Sequence, residues 1–403
     1  MPLVFVHGVA TRPSAEYSAA MKQRDALFRS LVLKRSDAKI INPEWGSFGV
    51  KFGNDLPWLP CPTGNEAFNA GDDGGAAALG AEALDGRLAL GQLAGSDAEQ
   101  AVDLVAMATL DAAIRSAAEF NVPDAAATDE ALRVALAAGA YLEAKATIDH
   151  DKPVAIPTLV AKDNSEFADA LESEIEQADG AIQAFGLGDR IRGAIGYLTR
   201  LVGNGASDAA LKLARRDLSR SVSFFLGDVF VYLRGRDDSG SEGTRARIFQ
   251  PIFDALVEGA KAPKPGSEPF VVVGHSLGGV ILYDILTDPT IRAGLEAAIG
   301  SPIQIDALFT VGSQPGFFAD LGLYPGGRPA AGTKLKMAPG VGSWMNVFDF
   351  TDVFSFRCAP MFEGVRDFGY DTVTDLLHAH GAYFLRPSFY KRMRARLADL
   401  GHT

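Results

Sequence analysis

One stretch, Phe270 to Leu286, limits the folds open to this chain more than any other. Phe270-Val271-Val272-Val273 is a short, nearly unbroken apolar run rich in β-branched residues, the pattern of a strand buried on both faces of a parallel sheet. It stops at Gly274. Gly274-His275-Ser276-Leu277-Gly278 follows, and then Gly279 to Leu286, GVILYDIL, which reads as a helix. A serine on so sharp a strand-to-helix turn has strained backbone angles, and small flanking residues let the two elements approach. The turn lifts the Ser276 hydroxyl above the sheet and puts the Leu277 N–H at a helix N-terminus, where amide dipoles favour developing negative charge.

Ahead of this stretch, Leu3 to Val6 is a second strand, ending in His7-Gly8-Val9. Pro13-Ser14 signals a helix start, and Tyr17, Met21, Arg24, Phe28 and Leu31 share one face of the helix that follows. Ala38 to Asn42 reads as a strand, which closes a βαβ unit. After the serine, Ile305 to Val311 is a further parallel strand ending at Gly312-Ser313-Gln314-Pro315, and Trp344 to Phe348 another. Met361 to Phe368 is the expected last strand, and a terminal helix follows Pro387.

Residues 51–220 are different. They are rich in alanine and glycine, with a loop-like GDDGG at Gly71 to Gly75 and few strand signals. Leu104, Met107, Leu110, Ile114 and Ala117 form one helical stripe. Phe167, Leu171, Ile175, Ala178, Ile182 and Phe185 form another, and Ser207 is a plausible cap for a third with Leu211, Ala214 and Leu218. Residues 224–233, FFLGDVFVYL, fit strand or helix by composition; their place before a helical segment favours helix. At 403 residues the chain exceeds the roughly 100–200 typical of one domain, which fits a core at residues 1–50 and 221–403 carrying a helical insertion at 51–220.

The serine, the His-Gly turn and the C-terminal residues together resemble the α/β-hydrolase superfamily. GHSLGG is the form of its nucleophile elbow in the lipase and esterase branches. The resemblance implies an α/β fold with a mostly parallel sheet flanked by helices, and a helical lid or cap. It implies an oxyanion hole from the Val9 and Leu277 backbone N–H groups, each donor contributing on the order of 3 kcal/mol to the barrier. Catalytic partners in this family follow in the order Ser, Asp or Glu, His. Here the acid is Asp352 or, less in keeping with the strand-to-loop pattern, Asp349. The base is His380, whose HGAY matches the family's H-x-x-Y segment, rather than His378. His7 would hold the oxyanion loop by hydrogen bonds, with Gly8, His275 and Gln314 beside the substrate; Phe317 and Phe318, in the loop after a strand end where such sheets bind ligands, either line an apolar acyl pocket or pack under that loop. The insertion matches no pattern; it would set the substrate as a lid or acyl pocket, or else be a surface decoration or an oligomerisation unit.

The expected reaction is hydrolysis of a carboxylic ester, lipids among the candidates. A thioesterase, acyltransferase or amidase would use the same three residues, and a non-catalytic interaction module built on the insertion is the rival from another class. No cofactor is expected, since the chain has no G-x-x-x-x-G-K-[ST] and no H-E-x-x-H. His378 and His380 as metal ligands lack an evident third, and His150 and His402 have no identifiable partners. A net charge of −12 argues against nucleic-acid or anionic-lipid partners. Cys61 and Cys358 are the only cysteines, which points to a reduced compartment, and MPLVFVHG has no charged leader. No stretch reads as a membrane span, so the expected place is the cytoplasm.

Overall fold

The computed structural model describes residues 1–53, 56, 58–59, 90–120, 125–145, 156–161, 163–178, 187–203, 208–236, 243–262, 268–374 and 379–402. Among them are six strands: β1 (Leu3–Val6), β2 (Ile40–Ile41), β3 (Val271–His275), β4 (Ile305–Val311), β5 (Val341–Phe348) and β6 (Val365–Gly369). All pair in parallel, in the order β2-β1-β3-β4-β5-β6. The fold is α/β with helical insertions.

The described helices are α1 (Ala15–Leu27), α2 (Leu90–Ser96), α3 (Ala98–Phe120), α4 (Ala125–Lys145), α5 (Asn164–Ala178), α6 (Leu187–Gly203), α7 (Asp208–Arg236), α8 (Thr244–Lys261), α9 (Leu277–Thr287), α10 (Pro289–Ile299), α11 (Pro315–Asp320), α12 (Ala379–Ala382) and α13 (Pro387–Asp399). None is long and apolar enough to cross a membrane.

The chain separates into two compact units, one of Met1–Val50, Phe120–Pro123 and Leu226–Thr403, the other of Lys51–Glu119 and Asp124–Phe225. In the first, Val4, Val6, Val272, Leu308 and Trp344 from the strands join Ile252, Leu256, Ile281 and Leu282 from α8 and α9 in one core. Burial on both faces is why β1, β3 and β4 lack polar alternation. The second unit is helical. There α5 packs on α2, α4 and α6, and the stripe residues Leu104, Met107, Leu110, Ile114, Phe167, Leu171 and Ile175 are buried.

Several local readings meet the structure directly. The Ser14 side chain caps α1, accepting Tyr17 N–H at 3.0 Å. Of the face read for that helix, Arg24, Phe28 and Leu31 are buried while Tyr17 and Met21 are only partly so, and α1 gives way to a π-helical turn at Phe28–Val32. Residues 224–233 are the C-terminal part of α7. The last strand starts at Val365 and not Met361, because Gly364 takes a left-handed φ of 72° and breaks the run. The GDDGG run, Cys61, His150, Ser207, Ile182, Phe185 and His378 lie outside the described residues.

The register puts the strand ends at a common edge: Val6 pairs with Gly274, Gly274 with Thr310, and Thr310 with Asn346. From β1 the chain goes first to β2 on one side and later to β3 on the other. In open parallel sheets that reversal opens a crevice at the carboxyl ends of the two strands, where loops diverge. Gly8 and Ser276 follow those two strand ends.

Candidate active site

The turn after β3 is built around missing side chains. A Cβ on Gly279 would come within 2.3 Å of Ser313 Oγ, so only glycine lets α9 sit this close to the turn after β4. Ser276 itself has φ 52° and ψ −131°, a region costly for any residue with a Cβ and sustained only where surroundings over-determine it. They do so here. Ser276 N–H donates to Val311 O at 3.0 Å, while Ser276 O accepts from Ser313 Oγ at 2.5 Å and from Gly279 N–H at 3.1 Å.

The structure brings three distant residues together at this turn. His380 Nε2 lies 2.9 Å from Ser276 Oγ, and His380 Nδ1 lies 3.0 Å from each carboxylate oxygen of Asp352. An ionised carboxylate only accepts, so Nδ1 carries the proton and Nε2 is left to accept the serine hydroxyl hydrogen. Asp352 is buried and takes two further donors, Tyr383 O–H at 3.0 Å and Phe354 N–H at 3.0 Å. The His380 side chain keeps 19% of its surface exposed.

Asp349 is occupied otherwise. Its oxygens accept the amide and hydroxyl of Thr351 and of Thr372, four bonds that tie the turn after β5 to the segment after β6. The Asp352 loop is held by its neighbours as well. Asn346 Nδ2 donates to Phe356 O at 2.9 Å, Phe356 N–H to Ser313 O at 3.1 Å, and Gln314 Nε2 to Phe354 O at 2.6 Å.

Two histidines next to these groups, His7 buried and His275 half-buried, have their pKa values pushed down. Burial pulls His7 down to about 4. Its ring stacks on Trp45 at 5.0 Å, its Nδ1 pairs with Gly8 O at 2.9 Å, and its Nε2 accepts Trp45 N–H at 3.3 Å. His275 is pulled down to about 3, first by burial and then by the neighbouring His380. Its Nε2–H donates to the backbone carbonyl of His380 at 2.8 Å, which fixes the segment carrying the His380 ring.

Gly8 abuts the serine: a Cβ there would stand 2.5 Å from Ser276 Cβ. Leu277 opens α9, so its N–H has no intrahelical acceptor. Neither Leu277 N–H nor Val9 N–H meets an acceptor among the described residues. Gln314 spends its amide hydrogens on the Gly312 and Phe354 carbonyls. Phe317 is 43% exposed and stacks on Phe356 at 4.9 Å, whereas Phe318 is buried in the core beside Tyr324.

Sequence reasoning assigned no role to Tyr383, Phe354 or Ser313. Tyr383 was legible as the tyrosine of HGAY, and Ser313 stands in the turn placed at the same sheet edge as Ser276. Phe354, whose ring centre lies 5.5 Å from that of His380, had no signal beyond nearness to Asp352. Among the described residues no cluster of three His, Cys, Asp or Glu side chains is arranged to hold a metal ion. Comparison of the chain with protein-family models, with curated proteins and with solved structures finds no match to any of them.

Proposed function

We propose that the chain is a serine hydrolase of the α/β-hydrolase type that transfers the acyl group of a carboxylic ester to water. The observation that carries this reading is the single hydrogen-bonded line from Ser276 Oγ through His380 to Asp352. A serine hydroxyl at its free pKa is a weak nucleophile and needs such a base with a third group fixing its tautomer.

In the proposed reaction His380 Nε2 takes the hydroxyl proton as Ser276 Oγ bonds to the carbonyl carbon. The carbonyl π electrons move to oxygen, and the oxyanion rests on Val9 N–H and Leu277 N–H. His380 then gives its proton to the departing alcohol oxygen as the C–O bond breaks, which leaves an acyl-serine. Water repeats the sequence: His380 takes one of its protons, hydroxide adds to the acyl carbon, and the proton returns to Ser276 Oγ as the acid leaves. Asp352 stabilises the imidazolium at both stages.

The helical unit, by the same resemblance, would select the substrate, and the cysteine count favours the cytoplasm. The test is labelling by a fluorophosphonate, which phosphonylates an activated serine. The wild type should react and Ser276→Ala should not; labelling that persists in Ser276→Ala would remove Ser276 from the role. Hydrolysis of p-nitrophenyl esters should track the labelling.

A further inference from the structure

The loop that carries Val9 is gripped by an acidic residue that no motif announces. Asp228 lies on α7, within the same compact unit as the sheet, and its side chain is fully enclosed. Its Oδ2 accepts Ala10 N–H at 2.7 Å, and its Oδ1 accepts Val50 N–H at 2.7 Å. Arg12 adds a two-armed contact, Nη1 to Oδ2 at 3.0 Å and Nη2 to Oδ1 at 2.6 Å. Four N–H donors thus converge on one carboxylate, a geometry in which charge-assisted bonds are short and directional.

Two of those donors are backbone amides, and one belongs to a residue in a costly conformation. Ala10 has a left-handed φ of 55°, which an alanine holds only under constraint. The peptide planes around Val9 are tied on both sides. His7 Nδ1 holds the Gly8 carbonyl, which shares its plane with Val9 N–H. The next plane has its carbonyl, that of Val9, accepting from Thr11 Oγ1 at 3.3 Å and its N–H on Asp228. If Ala10 relaxed to negative φ, the second plane would turn, and with it the direction in which Val9 N–H points.

We infer that Asp228 is a positioning residue of the acyl-transfer site: by holding Ala10 N–H it fixes the backbone on which the Val9 oxyanion donor is aimed. This rests on the hydrolase reading above and assigns part of that site's precision to a helix remote in sequence from every motif. Asp228 touches no reacting atom; it acts through the Val9–Ala10 peptide.

The experiment uses the full chain as wild type, Asp228→Ala, Asp228→Asn and Arg12→Gln. The readouts are Tm, kcat and KM on a short p-nitrophenyl ester, and the rate of fluorophosphonate labelling, because the phosphonyl oxygen occupies the place of the oxyanion. Well below Tm, both Asp228 variants should lose about 10- to 100-fold in kcat and in labelling rate with KM changed less than about threefold, since an oxyanion donor turned away removes transition-state and not ground-state binding. Arg12→Gln keeps both amide bonds to Asp228 and should lose less than about fivefold.

A folded Asp228→Asn with kcat within about twofold of wild type overturns the inference. So does an Arg12→Gln that loses as much kcat at equal loss of Tm, because stability would then account for the effect. Failure of both Asp228 variants to fold while Arg12→Gln folds assigns the residue to the fold alone, which also overturns it. A wild type that neither labels nor hydrolyses any ester sinks the hydrolase reading itself, and that result is distinct from all of these.

Discussion

The rim of the sheet and the helical unit are built under different rules. At the rim, individual atoms decide: Ser276 needs the Val311 carbonyl and the Ser313 hydroxyl, and Asp352 needs Tyr383 and Phe354 as well as His380. In the helical unit, Leu104, Met107, Leu171 and Ile175 are buried as volume, and any apolar side chain of similar size packs nearly as well. The contrast teaches where a sequence speaks of chemistry. It does so where only one residue type satisfies the geometry.

That contrast is broken most forcefully at the imidazole. His380→Ala should lower kcat by about 10⁴-fold or more, and Asp352→Asn by a similar factor through the wrong tautomer. Asp349→Asn should leave kcat within about threefold and lower Tm instead, because among the described residues the Asp349 carboxylate serves Thr351 and Thr372 and not His380. Steady-state kinetics beside calorimetry checks all three. Equal kcat losses at the two aspartates would erase the distinction drawn between them.

A smaller effect is expected in the helical unit. Leu104→Ala should cost about 3 kcal/mol in unfolding free energy, and Leu104→Met less than about 1.5 kcal/mol, with fluorophosphonate labelling unchanged in both. Chemical denaturation gives the energies. Labelling that falls with the packing loss would show that this unit is coupled to Ser276. At the rim even one methyl group should matter: Gly8→Ala places a Cβ against Ser276, and kcat should fall about 100-fold, the scale of a 1 Å displacement of reacting groups.

The same difference explains what could be read from the chain beforehand. β1 and β4 were legible to the residue, because a short, mainly apolar run of β-branched and aromatic residues flanked by turn residues has few other readings. The Ser276, His380 and Asp352 cluster was legible because each stands in a short, spaced pattern. α4 was not singled out because its alanine content blurs the periodicity that marks a buried face, whereas α6 carries a clear stripe, Ile191, Ala194, Ile195 and Leu198, that the sequence reading passed over. Asp228 was invisible for another reason. It lies in FFLGDVFVYL as one acidic residue on a helix, and its role comes from Ala10 and Val50, far away in the sequence. Sequence patterns carry local geometry, and a carboxylate that collects donors from distant loops leaves no local trace.

The two histidines beside the site, His7 buried and His275 half-buried, extend the comparison to pH. His7 and His275 are lowered to about 4 and about 3 from an ordinary 6.5, so unfolding lets each take up a proton that the folded chain refuses. Their stabilising contribution is complete above about pH 6.5 and is lost as pH falls towards those values. At pH 5 each should have forfeited about 2 kcal/mol relative to pH 7.5. Asp284 runs the other way. Burial raises it to about 6, although the Tyr232 hydroxyl and the Arg236 guanidinium both donate to it. Its folded form therefore holds a proton more tightly than the unfolded chain, returning about 1 kcal/mol over the same interval. Together these three groups predict a net loss of about 3 kcal/mol, and in His275→Gln the drop from pH 7.5 to 5 should be smaller by about 2 kcal/mol. Urea titrations at the two pH values measure it. An unchanged pH slope in His275→Gln would mean that His275 takes a proton as readily folded as unfolded, and that its bond to the His380 carbonyl does not depend on a neutral ring.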